Sequence, residues 1–278
     1  MKWYILCMVL LESVMAFSQQ NDTGKLGNIE RILDSANTLC KNNKELLLAN
    51  HLADSAITLS SELGKDRLRL LVYGLHIKGR IREKNGDFQT EYTLLDSAIR
   101  LCRLAHIDTG HVYARTLLHF SIACKYTDHE GVIVDALSES MNVFQKIHDP
   151  DFLVSSSLLL SYFSGRGQIE EGDQLILHSE LDINNSWPVD RINYFYFGAY
   201  QYYWKYKIIN KARYYLSKVN ESGIKDHWEK CNLFRSKLLF ILEESSDFNH
   251  KEYTDLLGQC LDCFHNDPDI QGMELVDY

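Results

Sequence analysis

An eight-residue string recurs almost unchanged along this chain. LADSAITL occupies 52–59, and LLDSAIRL occupies 94–101, 42 residues later. The second alanine of the first string, Ala56, corresponds to Ala98 in the second. The same position recurs at intervals of 39 to 42 residues, at Ser140, Ser179, Val219 and Gly258. Self-similarity at a period of about 20 to 50 residues indicates a repeat architecture, in which each unit buries its apolar face against the next.

The residues around this recurring position predict helices. An apolar side chain stands three residues before it in the first five copies, at Ala53, Leu95, Leu137, Ile176 and Leu216. Such spacing keeps one face of a helix apolar. Only three prolines interrupt the chain, and each lies at a predicted helix boundary. We therefore expect six antiparallel helix pairs: 26–41 with 45–63, 67–85 with 88–106, 109–126 with 129–147, 150–164 with 168–181, 188–206 with 209–221, and 227–244 with 249–264. The expected fold is an all-α, right-handed α-solenoid.

Composition limits the partners of such a chain. The 278 residues are 45% hydrophobic and 24% charged, which is an ordinary globular balance. The net charge of −9 argues against non-specific nucleic-acid binding, because neutralising phosphates requires clustered Lys and Arg. We expect no nucleic-acid partner.

The amino terminus has the pattern of a cleavable export signal. Lys2 precedes an apolar run from 3 to 11, and Ala16-Phe17-Ser18 ends the segment before Gln19. A buried first helix or an uncleaved anchor are the alternatives. We expect a signal peptide at 1–18, a helical repeat domain at 19–264 and a tail at 265–278. No later apolar stretch approaches spanning length, so the prediction is a periplasmic or secreted protein without stable membrane insertion after cleavage.

The second helix pair resembles a tetratricopeptide repeat (TPR). Its matching residues are Leu75, Gly79, Gly86-Asp87-Phe88, Leu95 and Ala98. Small residues are needed at such positions because the two helices approach closely. The chain departs from the family in lacking the usual Trp and in placing Glu91 and Lys251 where Ala is common. Its period of about 40 exceeds the usual 34 or so. The longer period resembles that of the exported or periplasmic TPR proteins and the TPR sensor regions of Bacteroidetes. The amino-terminal segment likewise resembles the export signals of these bacteria.

The resemblance implies a binding groove lined by the first helix of each pair. Carried onto this chain, the groove positions of the second, third and fifth pairs give nine candidate partner-binding residues: Tyr73, His76, Arg80, Arg115, Lys125, Tyr194, Phe197, Gln201 and Trp204. Glu83, Leu118 and Ile122 fall in the same register. Basic residues at one end and aromatic residues at the other would suit an extended peptide with an acidic segment and an apolar anchor. The alternative is a solvated face.

The aromatic segment YFYFGAYQYYWKYK at 194–207 is unusual for one helix. Aromatic side chains on every side of a helix cannot all face one core, so some must reach a groove or a neighbouring molecule. The alternative is that they fill a wide core between repeats.

Chemical motifs are weak. We interpret Cys40 and Cys124 as small core residues, and Cys260-x-x-Cys263 as a helical core pair in preference to a metal or redox motif. His106, Asp108 and His111 share a predicted loop, which favours a surface location over a ligand cluster. With no phosphate loop, HExxH or nucleophile motif, we expect no catalytic residues, metal or cofactor.

The predicted function is therefore that of a non-enzymatic protein that binds a protein or peptide partner. The alternative is a stand-alone or truncated sensor region of a TPR-containing signalling regulator, of the histidine kinase or DNA-binding type.

Overall fold

The computed structural model describes residues 24–42, 45–61, 63, 66–224, 227–244 and 250–265. Within these ranges the chain forms twelve α-helices and two short 3-10 turns, which confirms the predicted all-α repeat fold. The helices are α1 24–41, α2 Leu46–Ser60, α3 Arg67–Lys84, α4 Phe88–Leu104, α5 His111–Lys125, α6 Ile133–Lys146, α7 Phe152–Arg166, α8 Ile169–Leu181, α9 Val189–Lys205, α10 Ile209–Lys218, α11 His227–Glu244 and α12 His250–His265. The signal-like segment 1–18 and nearly all of the 265–278 tail lie outside the described residues.

The helices pack mainly in order along the chain. The pairs α3–α4, α5–α6, α7–α8, α9–α10 and α11–α12 each form a hairpin, and α4 also packs on α5. First helices of neighbouring pairs touch as well, α3 with α5 and α7 with α9. The chain divides into two compact units, of which the first ends at Asp149 and the second begins at Pro150.

The recurring apolar position is a core position. All five of its residues are buried, with Ala53, Leu95 and Ile176 fully enclosed. The small recurring position is likewise buried at Ala56, Ala98, Ser140 and Ser179. It leaves the core in the last two copies: Val219 follows the end of α10, and Gly258 is exposed on α12. The small repeat position is therefore a core position in the first four helix pairs. It leaves the core in the fifth pair, where the short helix α10 ends before this position is reached.

The best-formed hairpin shows why its small residues are required. A Cβ on Gly79 would lie 2.6 Å from the side chain of Leu95, so α3 and α4 could not approach so closely with a larger residue. Gly86 has a positive φ of 72° in the turn, and Asp87 then caps α4 by accepting a hydrogen bond from the Thr90 amide at 3.2 Å.

Five cysteines, Cys40, Cys102, Cys124, Cys231 and Cys260, are buried. The core interpretation of Cys40 and Cys124 agrees with their complete burial. The side chain of Cys263 lies outside the described residues. Over the described part of the chain, no helix combines the length and hydropathy needed to cross a bilayer.

Candidate functional site

The second unit contains a cavity of about 330 Å³ between α7, α9 and α11. Neutral side chains form it, apolar ones together with hydroxyl and amide groups: Ser157, Leu158, Ser161, Asn193, Tyr194, Phe197, Gly198, Gln201, Val219, Ile224, Asn232 and Leu233. The three helices are the first members of the last three pairs, which are the helices that the TPR resemblance assigns to a groove. Tyr194, Phe197 and Gln201 are three of the nine predicted binding residues, and their role in binding stays a prediction.

The aromatic helix α9 divides its side chains between core and surface. Phe195, Tyr202 and Tyr203 are buried, and the Tyr203 ring stacks on Tyr215 with centroids 5.5 Å apart. Tyr194, which is 39% exposed, and the half-buried Phe197 face the cavity. On one face of α9 the aromatic side chains fill the core, as one interpretation of the sequence expected. On another face they line the cavity, in keeping with the other interpretation.

Trp204, the last predicted residue of this helix, lies away from the cavity lining. Its indole packs against Tyr200 at 5.9 Å and Phe240 at 5.2 Å between ring centroids. The Lys207 ammonium lies 5.1 Å from the Trp204 ring centroid, at a cation–π distance. Trp204 thus supports the contact between α9 and α11.

A second cavity of about 850 Å³ opens between α10, α11 and α12. Its lining includes Arg213, Glu221, Lys237, Lys251 and Asp255. Lys237 donates a hydrogen bond to Glu221 at 2.7 Å. Because charges of both signs line this wider cavity, it is not complementary to any one class of ligand. The smaller cavity is lined by neutral side chains throughout.

One buried amide fixes a wall of the smaller cavity. Asn193 donates through Nδ2 to the Asn220 carbonyl at 2.7 Å, and its Oδ1 accepts from the Asn220 amide at 2.8 Å. This two-way contact ties α9 to the segment that carries Val219 and Ile224, both of which line the cavity. Asn193 is 4% exposed, so neither bond is easily replaced by water.

Asn193→Ala should therefore loosen this wall. We expect the free energy of unfolding to fall by about 2 kcal/mol, because the two hydrogen bonds that the buried Asn193 amide makes with the Asn220 backbone are lost. Urea denaturation followed by circular dichroism measures the change. Asn210→Ala, at an exposed position on α10, is the matched control and should change stability by less than about 0.5 kcal/mol. Equal effects of the two substitutions would contradict a role for the Asn193 contact.

The predicted binding residues of the first unit are in quite different settings. Tyr73 donates a hydrogen bond to Asp34 at 3.0 Å and accepts one from Asn37 at 3.2 Å. Lys125 is exposed and lies 5.7 Å from the Tyr126 ring centroid. Arg115 is half-buried. These residues stay candidates for partner binding.

His76 and Arg80, two further predicted binding residues, lie in a polar cluster enclosed by α3, α4 and α5, and their role in binding stays a prediction. His76 is 2% exposed, and its Nδ1 lies 3.2 Å from the Thr116 hydroxyl. Its ring meets that of His119 edge-on, with centroids 5.5 Å apart. The Arg80 side chain is only 12% exposed, and its Nε lies 3.8 Å from Glu83 Oε2.

Glu83, Glu91 and His119 are the centre of this cluster. Each offers a ligand atom, and these atoms all lie within 4.8 Å of one another. His119 Nδ1 is 3.1 Å from Glu83 Oε2, an ion-pair distance without the alignment of a hydrogen bond. Glu91 is fully buried, and neither of its carboxyl oxygens has a hydrogen-bond partner among the described residues.

Burial controls the ionisation of these groups. The pKa of Glu91 is raised from 4.5 to about 9, chiefly by burial and next by the nearby charge of Glu83, with Arg80 acting in the opposite direction. Burial also lowers the pKa of His119, because its effect is larger than the opposite effect of the nearby Glu83. For Glu83 burial alone would raise the pKa, but His119 and Arg80 outweigh it and the pKa is lowered. Near neutral pH the cluster holds a carboxylate, a neutral imidazole and a protonated Glu91.

Sequence reasoning found only part of this cluster. Glu91 stood out as an acidic residue at a position that favours Ala, which was its only signal. His119 was missed, because it falls between the groove positions of its repeat and meets Glu83 only through the packing of α3 on α5. His106 and His111 are exposed, as the sequence indicated, although His111 is the first residue of α5 and not part of a loop. His111 Nδ1 lies 2.5 Å from Asp149 Oδ2.

No protein-family model and no curated protein sequence matches this chain. Solved structures share its fold. Nearly identical TPR-like repeats of a protein described as a kinesin light chain of Podosopora anserina align with a TM-score of 0.52 at 15% identity, over 69% of this chain and 93% of that one. BtubC (BKLC) from P. vanneervenii aligns with a TM-score of 0.55 at 11% identity, over 71% of this chain and 89% of that one. At such low identity the likeness shows a TPR-like repeat fold and nothing about partners.

Proposed function

We propose that this TPR-like chain binds a segment of a partner protein, and that the neutral cavity between α7, α9 and α11 receives an apolar anchor residue of that segment. The observation that carries the proposal is the cavity itself. Its volume of about 330 Å³ suits one or two large side chains, and Phe197, Leu158 and Leu233 give it apolar walls.

The polar part of the lining suits a peptide backbone. Ser161, Gln201 and Asn232 offer hydroxyl and amide groups, which both donate and accept hydrogen bonds. A peptide bond carries one donor and one acceptor, so these side chains can pair with it while an apolar side chain enters the cavity. Aromatic anchors at the centre of an interface are the usual binding hot spots.

The repeat architecture supports the same conclusion. Repeats of the tetratricopeptide type are mostly interaction modules, and the cavity lies on the first helices of successive pairs, as in the groove of the family that the chain resembles. The net charge of −9 gives no support to nucleic acid as the partner. A non-enzymatic role remains part of the proposal.

The test begins with peptides selected from a random display library against the purified chain. Their affinities are then measured by fluorescence anisotropy with wild-type protein and variants. Ser161→Trp places a large side chain at an exposed position of the cavity lining and should abolish binding, with the helical circular dichroism spectrum unchanged. Phe197→Ala should weaken binding by about 30-fold, the effect of losing a hot spot.

Ser217→Trp is the matched control, because Ser217 is exposed and lines the wider cavity between α10, α11 and α12. It should leave peptide affinity within about twofold of wild type. If Ser217→Trp blocks binding and Ser161→Trp does not, the proposed cavity is the wrong one.

We also propose that the chain is exported and that residues 1–18 are removed. The support is the sequence pattern alone, since this segment lies outside the described residues. Mass spectrometry of the protein recovered from the cell envelope or the medium should find a chain that begins at Gln19. An intact amino terminus in the cytosolic fraction would contradict export.

A further inference from the structure

The polar cluster in the first unit concentrates buried polar atoms that lack a hydrogen-bond partner. Over the described residues, nine buried side-chain nitrogen or oxygen atoms lack a hydrogen-bond partner, and five of them belong to Arg80, Glu83, Glu91 and His119. Native cores contain only a few such atoms, and each calls for an explanation. A bound ion that the carboxyl and imidazole groups coordinate would account for their concentration in one place.

From this geometry we infer that Glu83, Glu91 and His119 form a binding site for a divalent transition-metal cation, of which Zn²⁺ is the best fit. The three side chains come from α3, α4 and α5, and one ligand atom of each lies within 4.8 Å of the other two. The metal would therefore join two successive helix pairs. This inference is independent of the proposed peptide-binding cavity, which lies in the other unit.

The distances are close to those of a metal site. The separation of 3.1 Å between His119 Nδ1 and Glu83 Oε2 is near the edge of about 3.4 Å that a tetrahedron with bonds of about 2.1 Å would have. The remaining separations are at most 4.8 Å, so small side-chain rotations bring all three ligands to bonding distance.

The donor set selects the class of cation. One imidazole and two carboxylates suit Zn²⁺, Mn²⁺ or Fe²⁺, whereas Mg²⁺ and Ca²⁺ prefer oxygen ligands alone. Three protein ligands leave a fourth position for water or another small ligand. His119 meets the requirement for a neutral imidazole, and Glu91 would release its proton when the metal binds.

Arg80 is the main charge that opposes a cation here, with smaller effects of Lys84 on Glu83 and of Arg115 on His119, yet it leaves the ligands available. Its Nε is 3.8 Å from Glu83 Oε2, too far for a hydrogen bond. The guanidinium therefore balances the charge of Glu83 without occupying its oxygen. The charge of Arg80 also acts on Glu91, but the two oxygens of this fully buried carboxyl have no hydrogen-bond partner among the described residues, which makes Glu91 the strongest indication of a ligand site.

The test is equilibrium dialysis of the purified chain, stripped with EDTA, against Zn²⁺, with Co²⁺ as a spectroscopic probe. We expect one tightly bound Zn²⁺ and Co²⁺ absorption bands of a four- or five-coordinate site with nitrogen and oxygen ligands. Glu91→Gln and His119→Gln should each weaken this binding by more than about tenfold, since even outer-shell changes cost about 10- to 100-fold.

His111→Gln is the matched control for His119→Gln, because it makes the same change at an exposed position of the same helix. It should leave the affinity unchanged, and all variants should keep the wild-type circular dichroism spectrum. Zn²⁺ should also raise the Tm of wild-type protein and not that of Glu91→Gln, a difference expected only if the ion binds the folded cluster. Absence of stoichiometric binding, or binding that both cluster variants retain, overturns the assignment and leaves a proton as the only occupant of Glu91.

Discussion

Gly172→Ala is expected to destabilise the second unit by about 3 kcal/mol, although alanine is the better helix former. A Cβ at position 172 would lie 2.4 Å from three atoms of the Tyr202 side chain. Tyr202 cannot move aside easily, since it is 1% exposed and its hydroxyl donates to the Ile169 carbonyl at 2.6 Å. The contact between α8 and α9 would have to widen, with loss of packing around the ring.

Gly165→Ala is the matched control for this change. Gly165 is also helical, but a Cβ there meets nothing within 4 Å. It should stabilise the chain by about 0.5 to 1 kcal/mol, so one chemical change gives opposite signs at two positions of the same unit. Urea unfolding followed by tryptophan fluorescence measures both, because three of the four tryptophans lie beyond Pro150. The penalty of Gly172→Ala should shrink in a Tyr202→Leu background, and an undiminished penalty there would contradict the contact as its cause.

Glu91→Met is expected to stabilise the metal-free chain by about 2 kcal/mol at neutral pH. The substitution replaces a fully buried carboxyl that lacks a partner with an apolar side chain of similar volume, a change that often stabilises buried polar sites by about 1 to 4 kcal/mol. Urea unfolding in EDTA measures the gain. Glu170→Met, at an exposed position of α8, should change stability by less than about 0.5 kcal/mol. A loss of stability at position 91 would show that the carboxyl has a stabilising partner.

The same variant should change how stability depends on pH in EDTA. The pKa of Glu91 is about 9 in the folded chain against 4.5 when unfolded, chiefly because of burial. Between these values the folded chain binds more protons than the unfolded chain, so wild-type stability falls as the pH rises through this window. Glu91→Met removes the titrating group and should flatten the profile between pH values of about 5.5 and 8.5. Parallel profiles for the two proteins would contradict the raised pKa.

The fold was predictable because it depends on local patterns. Leu95 and Leu137 mark one face of their helices, and breakers such as Gly86 separate the helices where hairpins turn. The helix pairs could therefore be placed within a few residues of the observed bounds. The last two copies were less predictable, because α10 ends at Lys218 before the register reaches Val219.

The candidate sites were harder to predict, since they depend on contacts between repeats. The helical period placed Tyr194, Phe197 and Gln201 on one face of α9, and all three line the smaller cavity. Their role in binding stays a prediction. No local pattern showed that Asn193 would bind the backbone of Asn220, or that His119 would meet Glu83. Glu91 could be noticed in the sequence only as an acidic residue at a position where Ala is common. At such a close contact between helices a carboxyl needs either a partner or a proton.

The buried cysteines have a consequence for how the chain opens. Cys102 and Cys124 have pKa values raised to about 12, chiefly by burial, so their thiols are neither exposed nor ionised in the folded chain. Reaction with an alkylating reagent then requires transient opening of the helix that carries the thiol. The first unit carries Cys40 in α1 and Cys124 in α5, and the second carries Cys231 and Cys260 in α11 and α12. Alkylation rates at these thiols would measure how often each unit opens locally.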